Sequence, residues 1–131
     1  MTEQNLKFKN KILVVDDDPV IEELLLVNLK NKNYNAESAK DGKEALQKIK
    51  LNRPDLIVLD IMVPEIDGWE LCKIIRDDKE FSETKILMLT AKDNNRDKMI
   101  GKYIFKADEY VTKPFDIDNL IDIIDRLITY K

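Results

Sequence analysis

The stretch Ile12-Leu13-Val14-Val15-Asp16-Asp17-Asp18 sets four consecutive apolar residues against three consecutive carboxylates, and Leu56-Ile57-Val58-Leu59-Asp60 repeats the arrangement further along the chain. A short unbroken apolar run reads as a strand buried on both faces, the kind found in parallel sheets covered by helices. Carboxylates that directly follow two such strands meet at one rim of the sheet. In open α/β sheets that rim, outside the carboxyl ends of the strands, is where ligands bind. The chain therefore gathers negative charge at its expected functional edge.

Working outward, a third apolar run, Ile86 to Leu89, is separated from the first two by longer segments with helical spacing, the signature of repeated βα units. Asp18 is placed to cap a helix, Pro19 suits its first position, and Glu22 and Glu23 favour the positive end of its dipole. Val20, Leu24 and Val27, with Ile21 and Leu25, are expected on its buried side. A weaker strand over Asn35 to Ser38 leads through Asp41-Gly42 to a helix carrying Ala45, Leu46 and Ile49, which Arg53-Pro54 ends. Val63 to Gly68 reads as a loop rich in turn formers, and Trp69, Leu71, Cys72 and Ile75 begin the next helix. Met99, Ile100, Tyr103 and Ile104 share a helical face, and Tyr110 to Thr112 form a short last strand. Asp116 caps a final helix whose stripe is Ile117, Leu120, Ile121, Ile124, Leu127 and Ile128. The expectation is an α/β fold, a doubly wound five-stranded parallel sheet with five helices.

The 131 residues suit one domain with a real core. A formal charge of -4 argues against a protein that binds nucleic acid directly by neutralising phosphates. One cysteine, Cys72, and no histidine exclude a disulfide framework, a zinc site and histidine-dependent catalysis. Cys72 and Met88 read as core residues. Residues 1–10 are polar and read as a flexible N-terminal tail rather than a signal peptide. No segment approaches the ~20 apolar residues of a membrane span, so a cytoplasmic protein is expected.

Like charges in a cluster of Asp16, Asp17 and Asp60 raise one another's pKa, and a cation relieves this. Carboxylate oxygens without imidazole or thiolate select a hard ion, Mg²⁺ first with Mn²⁺ as the alternative, and Mg²⁺ pairs naturally with a phosphate oxygen. A carboxylate can also attack a phosphoryl group to give an aspartyl phosphate, and Asp60 is the candidate. Such a site needs a positive side chain and a hydroxyl donor as well. Lys113 and Thr90, each at the end of an expected strand, supply them on the same rim. Alone, either residue would pass for an ordinary surface charge or strand terminus.

Together, Ile12 to Asp17, Pro54 to Gly68, Leu89-Thr90-Ala91 and Lys113-Pro114-Phe115 resemble the motifs of a response-regulator receiver domain, in that family's order, over about Lys11 to Thr129. The resemblance implies a receiver domain over residues 11–131 with the flavodoxin-like strand order 2-1-3-4-5. It also implies that Asp17 contacts Mg²⁺ directly and Asp16 through water, that Asp60 accepts the phosphoryl group, and that the Met62 carbonyl completes the metal shell. Lys113 and Thr90 would hold phosphoryl oxygens, and the Lys113-Pro114 bond would be cis. Thr90 and Tyr110 would form a switch that remodels the face of the fourth helix, fifth strand and fifth helix. Met62 and Lys92 would tune the lifetime of the acyl phosphate. Met62 cannot position water by hydrogen bonding, so self-dephosphorylation is expected to be slower than with asparagine there.

The partners so implied are a sensor histidine kinase or histidine phosphotransfer protein and a downstream target protein, with a monomer or a phosphorylation-dependent dimer as the assembly. The chain ends soon after its last expected helix, so a stand-alone receiver or a phosphorelay intermediate is expected, regulating its own phosphorylation rather than turning over a substrate. One departure stands out: Lys106-Ala107-Asp108 replaces the family's Gly-Ala-Asp. The preceding helix is expected to close through a longer or irregular turn instead of a left-handed glycine cap. Lys98, Lys102 and Lys106, with Arg96 nearby, make a basic ridge that reads as a solvated face or as a docking ridge for an acidic partner. Two other function classes fit parts of the pattern. Asp16 and Asp18 match the Asp-x-Asp of haloacid-dehalogenase-type phosphatases, with Asp16 as nucleophile, and the topology also suits a flavodoxin-like mononucleotide binder, whose phosphate an acidic triplet would repel.

Overall fold

Alternation of side chains along each strand explains the two cores of this protein. The computed structural model describes residues 10–61, 68–90 and 106–129. Within them the chain runs β1 (Lys11–Val15), α1 (Pro19–Asn31), β2 (Asn35–Ala39), α2 (Gly42–Asn52), β3 (Leu56–Asp60), α3 (Gly68–Asp77), β4 (Lys85–Thr90), β5 (Glu109–Thr112) and α4 (Ile117–Thr129). The strands form one parallel sheet in the order β2-β1-β3-β4-β5. Successive side chains point to opposite faces. Leu13, Val15, Ile57, Leu59, Ile86 and Met88 therefore join one core, under Ala45 and Ile49 of α2 and Leu71, Cys72 and Ile75 of α3. Ile12, Val14, Leu56, Val58, Leu87 and Leu89 join the other, under Leu25 and Leu29 of α1 and Leu120, Ile121 and Ile124 of α4. This is the expected doubly wound sheet. Four of the five expected helices lie among the described residues, and the one expected over Met99 to Ile104 lies outside them.

Local signals place the helix ends. Asp18 caps α1, its carboxylate accepting the Val20 N–H at 2.9 Å, with Pro19 in the first turn. Asp41 caps α2 by accepting the Glu44 N–H at 2.8 Å, while the Glu44 carboxylate reaches back to the Lys40 N–H. Asp116 accepts the N–H groups of Asp118 and Asn119 at the start of α4. Arg53, at φ 49°, ends α2 in the left-handed conformation ahead of Pro54.

The buried side of α1 differs from the expectation. Leu25 and Leu29 face the sheet and Ile21 is half-buried, whereas Val20, Leu24 and Val27 are 72%, 40% and 50% exposed. Apolar residues occupy most sides of this helix, so periodicity alone fixes no single phase. Contact with Ile12, Val14 and Leu56 selects the Leu25 and Leu29 side.

At the end of the sheet away from the acidic rim, Arg76 of α3 is a hub. Its Nε donates to the Lys106 carbonyl at 2.9 Å, and its Nη1 donates to the carbonyls of Ser82 and Thr84 at 3.0 and 2.6 Å. Nη2 pairs with Asp108 at 2.7 Å, and the same Asp108 oxygen accepts the Ile86 N–H. Lys106 itself sits at φ 58°. A lysine thus takes a left-handed conformation where the resemblance puts a glycine, while the expected longer or irregular end of the preceding helix lies outside the described residues. At the β2 edge, the Lys48 ammonium donates to the Ser38 carbonyl, a main-chain group of an edge strand, and the Asn52 amide donates to the Glu37 carboxylate.

Cys72 is buried, which pushes its thiol pKa up to about 11. Among the described residues no helix is long and apolar enough to cross a membrane.

Candidate functional site

Parallel register brings the sequence-predicted residues to one rim. Asp60 is the last residue of β3 and pairs with Leu89; Thr90, the next residue, ends β4 opposite Thr112. Asp16 directly follows β1 and Lys113 directly follows β5. Main-chain bonds continue the sheet past its formal ends, from the Asp16 N–H to the Ala39 carbonyl, from the Ile61 N–H to the Leu89 carbonyl and from the Lys113 N–H to the Thr90 carbonyl. Four chain segments far apart in sequence are thus held in a fixed frame.

At the centre of the rim the Lys113 ammonium donates to Asp60 Oδ2 at 2.7 Å and to Asp16 Oδ2 at 3.3 Å. Asp16 and Asp60 are buried and Asp17 is exposed. One carboxylate oxygen from each of the three aspartates lies within 4.8 Å of the others. Burial raises the pKa of Asp16, a hydrogen bond from the Asp18 N–H opposes the rise, and the charge of Asp60 adds to it. For Lys113, burial lowers the pKa, but the hydrogen bond and charge of Asp60, with Asp16 behind them, outweigh it and hold the ammonium above its usual range.

The sign of the Asp16 effect yields a test. Its raised pKa means that ionisation is disfavoured in the folded state, a penalty absent below the unfolded value of 3.8 and fully developed above the folded value. With divalent ions chelated, Asp16→Asn is expected to be more stable than the parent at pH 7, and the gain should vanish as the pH falls below about 4. Urea denaturation at the two pH values measures this. A variant less stable than the parent at pH 7 would show that the carboxylate's bonds to Lys113 and Asp18 outweigh its burial.

An oxygen-only donor set, crowded and partly buried, fits a hard divalent ion of the Mg²⁺ type better than a softer one. The Thr90 hydroxyl is buried, with no hydrogen-bond partner among the described residues. A buried unpaired hydroxyl costs roughly 1–3 kcal/mol, so Thr90 is a donor in want of an acceptor. The Tyr110 hydroxyl is in the same condition, and burial raises its pKa. Its ring packs on Trp69 with centroids 6.5 Å apart. The Lys113-Pro114 bond is cis. Met62 and Lys92, and the ridge residues Arg96, Lys98 and Lys102, lie outside the described residues.

Sequence reasoning treated Gly68 as a turn former, but the structure gives it a sharper role. A Cβ at this position would lie 2.6 Å from Ile61 Cα and 2.9 Å from the Asp60 carbonyl oxygen, and the Gly68 N–H donates to the Ile61 carbonyl at 2.8 Å. Both clashing atoms belong to the backbone that carries Asp60. Gly68→Ala is expected to destabilise the protein by about 1–3 kcal/mol, the usual range for overpacking. Unchanged urea denaturation would mean that this contact yields freely. The signal available in the sequence, a glycine closing a loop that follows a buried strand, pointed to the loop but not to this approach.

Residues 12–125 match the response regulator receiver domain family. The chain is 51% identical over 105 residues to the alkaline phosphatase synthesis transcriptional regulatory protein PhoP of Bacillus subtilis, covering 80% of this chain and 42% of that protein. It is 37% identical over 118 residues to the DNA-binding dual master transcriptional regulator RpaA of Synechocystis sp., covering 90% of this chain and 48% of that protein. The chain spans less than half the length of these curated relatives. Among solved structures, the chemotaxis response regulator CheY4 of Vibrio cholerae superimposes with a TM-score of 0.84 at 34% identity, covering 90% of this chain and 98% of that one. The alternative of a haloacid-dehalogenase-type phosphatase finds no support in these comparisons.

Proposed function

The chain belongs to the response-regulator receiver family, and from that premise we propose that it is a signalling switch set by phosphorylation of Asp60. The observation that carries this reading is the Lys113 ammonium held between Asp60 and Asp16 at a rim where three carboxylates converge. Such a site combines a nucleophile, a fixed cation beside it and ligands for a divalent ion, the parts that phosphoryl transfer requires.

In this proposal an Asp60 oxygen forms a bond to phosphorus as the P–N bond of a phosphohistidine on a histidine kinase or phosphotransfer protein breaks. Asp17, Asp60 and the Met62 carbonyl, with Asp16 through water, would hold Mg²⁺, which when bound would supply positive charge toward the phosphoryl oxygens. Lys113 moves from pairing Asp60 to pairing a phosphoryl oxygen. Thr90 gains there the acceptor that its buried hydroxyl lacks among the described residues, a contact present in only one of the two states and thus able to shift their balance. Tyr110 transmits the change to the surface beside β5 that a target protein binds, and Met62 and Lys92 set how long the acyl phosphate lasts.

The test is the intact mass of the protein after incubation with acetyl phosphate, with and without Mg²⁺. One phosphoryl adduct that requires Mg²⁺ is the expected result. Folded protein that gains no adduct under either condition would refute the reading.

A further inference from the structure

Tyr110 is held in an unusual way. Its hydroxyl is buried without a hydrogen-bond partner among the described residues, so no polar contact there accounts for the position of the ring. What touches the ring instead is Trp69, tilted by 45° at 6.5 Å, within the range of favourable aromatic pairs. Both aromatics are partly buried and pack against the same core, beside Met88, which is the register partner of Tyr110. Trp69 is also tied to the phosphoacceptor strand. It follows Gly68, whose N–H bonds the Ile61 carbonyl and where a Cβ would lie only 2.6 Å from Ile61 Cα, next to Asp60.

We propose that Trp69 is the positioning residue of Tyr110: its packing holds the Tyr110 ring inward against an unpaired hydroxyl and links the place of that ring to the β3 end that carries Asp60. The inference deepens the proposed function, resting on Tyr110 as the switch aromatic. Packing supplies the restraint and the orphaned hydroxyl supplies the opposing force. A ring held in this way moves when either element is altered, without any change at Asp60.

The experiment uses the full chain with 3-fluorotyrosine in place of tyrosine, the Tyr110 resonance being identified by its loss in Tyr110→Phe. In unphosphorylated protein, Trp69→Leu is expected to move or broaden the Tyr110 fluorine resonance, while Trp69→Phe, which keeps an aromatic face, restores the parental position. Tyr110→Phe, which removes the orphaned hydroxyl and leaves the ring, is expected to raise Tm by roughly 3–5 °C. A Tyr110 resonance that is the same in the parent and in Trp69→Leu overturns the proposal, and so does a Tyr110→Phe variant with a lowered Tm. The same samples are weighed after treatment with Mg²⁺ and acetyl phosphate. Absence of an adduct in the parent strikes the phosphoacceptor reading alone, because the role of Trp69 is judged on the unphosphorylated resonances.

Discussion

Asp60→Asn is expected to abolish the phosphoryl adduct while leaving a folded protein at least as stable as the parent. An amide is not a nucleophile toward phosphorus, so the rate of modification should fall by at least ~100-fold, below detection by intact mass. The fold should survive because the asparagine Oδ1 can still accept the Lys113 ammonium, which in the parent lies 2.7 Å from Asp60 Oδ2. Removing the Asp60 charge also relieves the repulsion it exerts on buried Asp16, which favours the folded state at neutral pH. Mass spectra and urea denaturation of the same preparation separate the two effects. An adduct persisting in Asp60→Asn would move the nucleophile to another carboxylate, Asp16 being the nearest alternative, and would end the proposal for Asp60.

Arg76→Ala is expected to destabilise the protein by about 3 kcal/mol, at the low end of the range for breaking a buried ion pair. The low end is appropriate because the Arg76 and Asp108 side chains retain 14% and 26% exposure, so water screens part of the pair. Besides that pair, the alanine variant loses donors to three carbonyls, those of Ser82, Thr84 and Lys106. It therefore frees the end of α3, the turn into β4 and the left-handed residue ahead of β5 together. Arg76→Lys is expected to recover only a small part of the loss, since a point charge cannot reproduce a planar fork aimed at four acceptors. Urea midpoints at constant slope measure both variants. A loss below about 1 kcal/mol for alanine would show that these bonds are replaced by water, as at an ordinary surface pair.

The two variants probe opposite ends of one sheet. Asp60 lies at the carboxyl rim, where the three carboxylates and Lys113 converge, and Arg76 at the far end, where the connections into β4 and β5 are tied down. Tyr110 lies between them on β5, two residues from Asp108 and three from Lys113.

Much of this was legible in the residues themselves. Ile12 to Val15, Leu56 to Leu59 and Ile86 to Leu89 read as buried strands because no polar residue interrupts them, and Asp18 and Asp116 mark helix starts because their carboxylates can reach orphan N–H groups two or three residues on. Asp16, Asp60, Thr90 and Lys113 could be assigned to one rim because every parallel strand presents its carboxyl end there. Strand period and helix capping are short-range effects, complete within a few residues, so the sequence by itself determined them. The exposed side of α1, the fork of Arg76, the approach of Gly68 to Ile61 and the Trp69 contact with Tyr110 were decided only by the tertiary structure. Each depends on which surface of one segment meets another that is distant along the chain, and a local pattern carries no information about that partner until the sheet has set the register and the helices have docked on it.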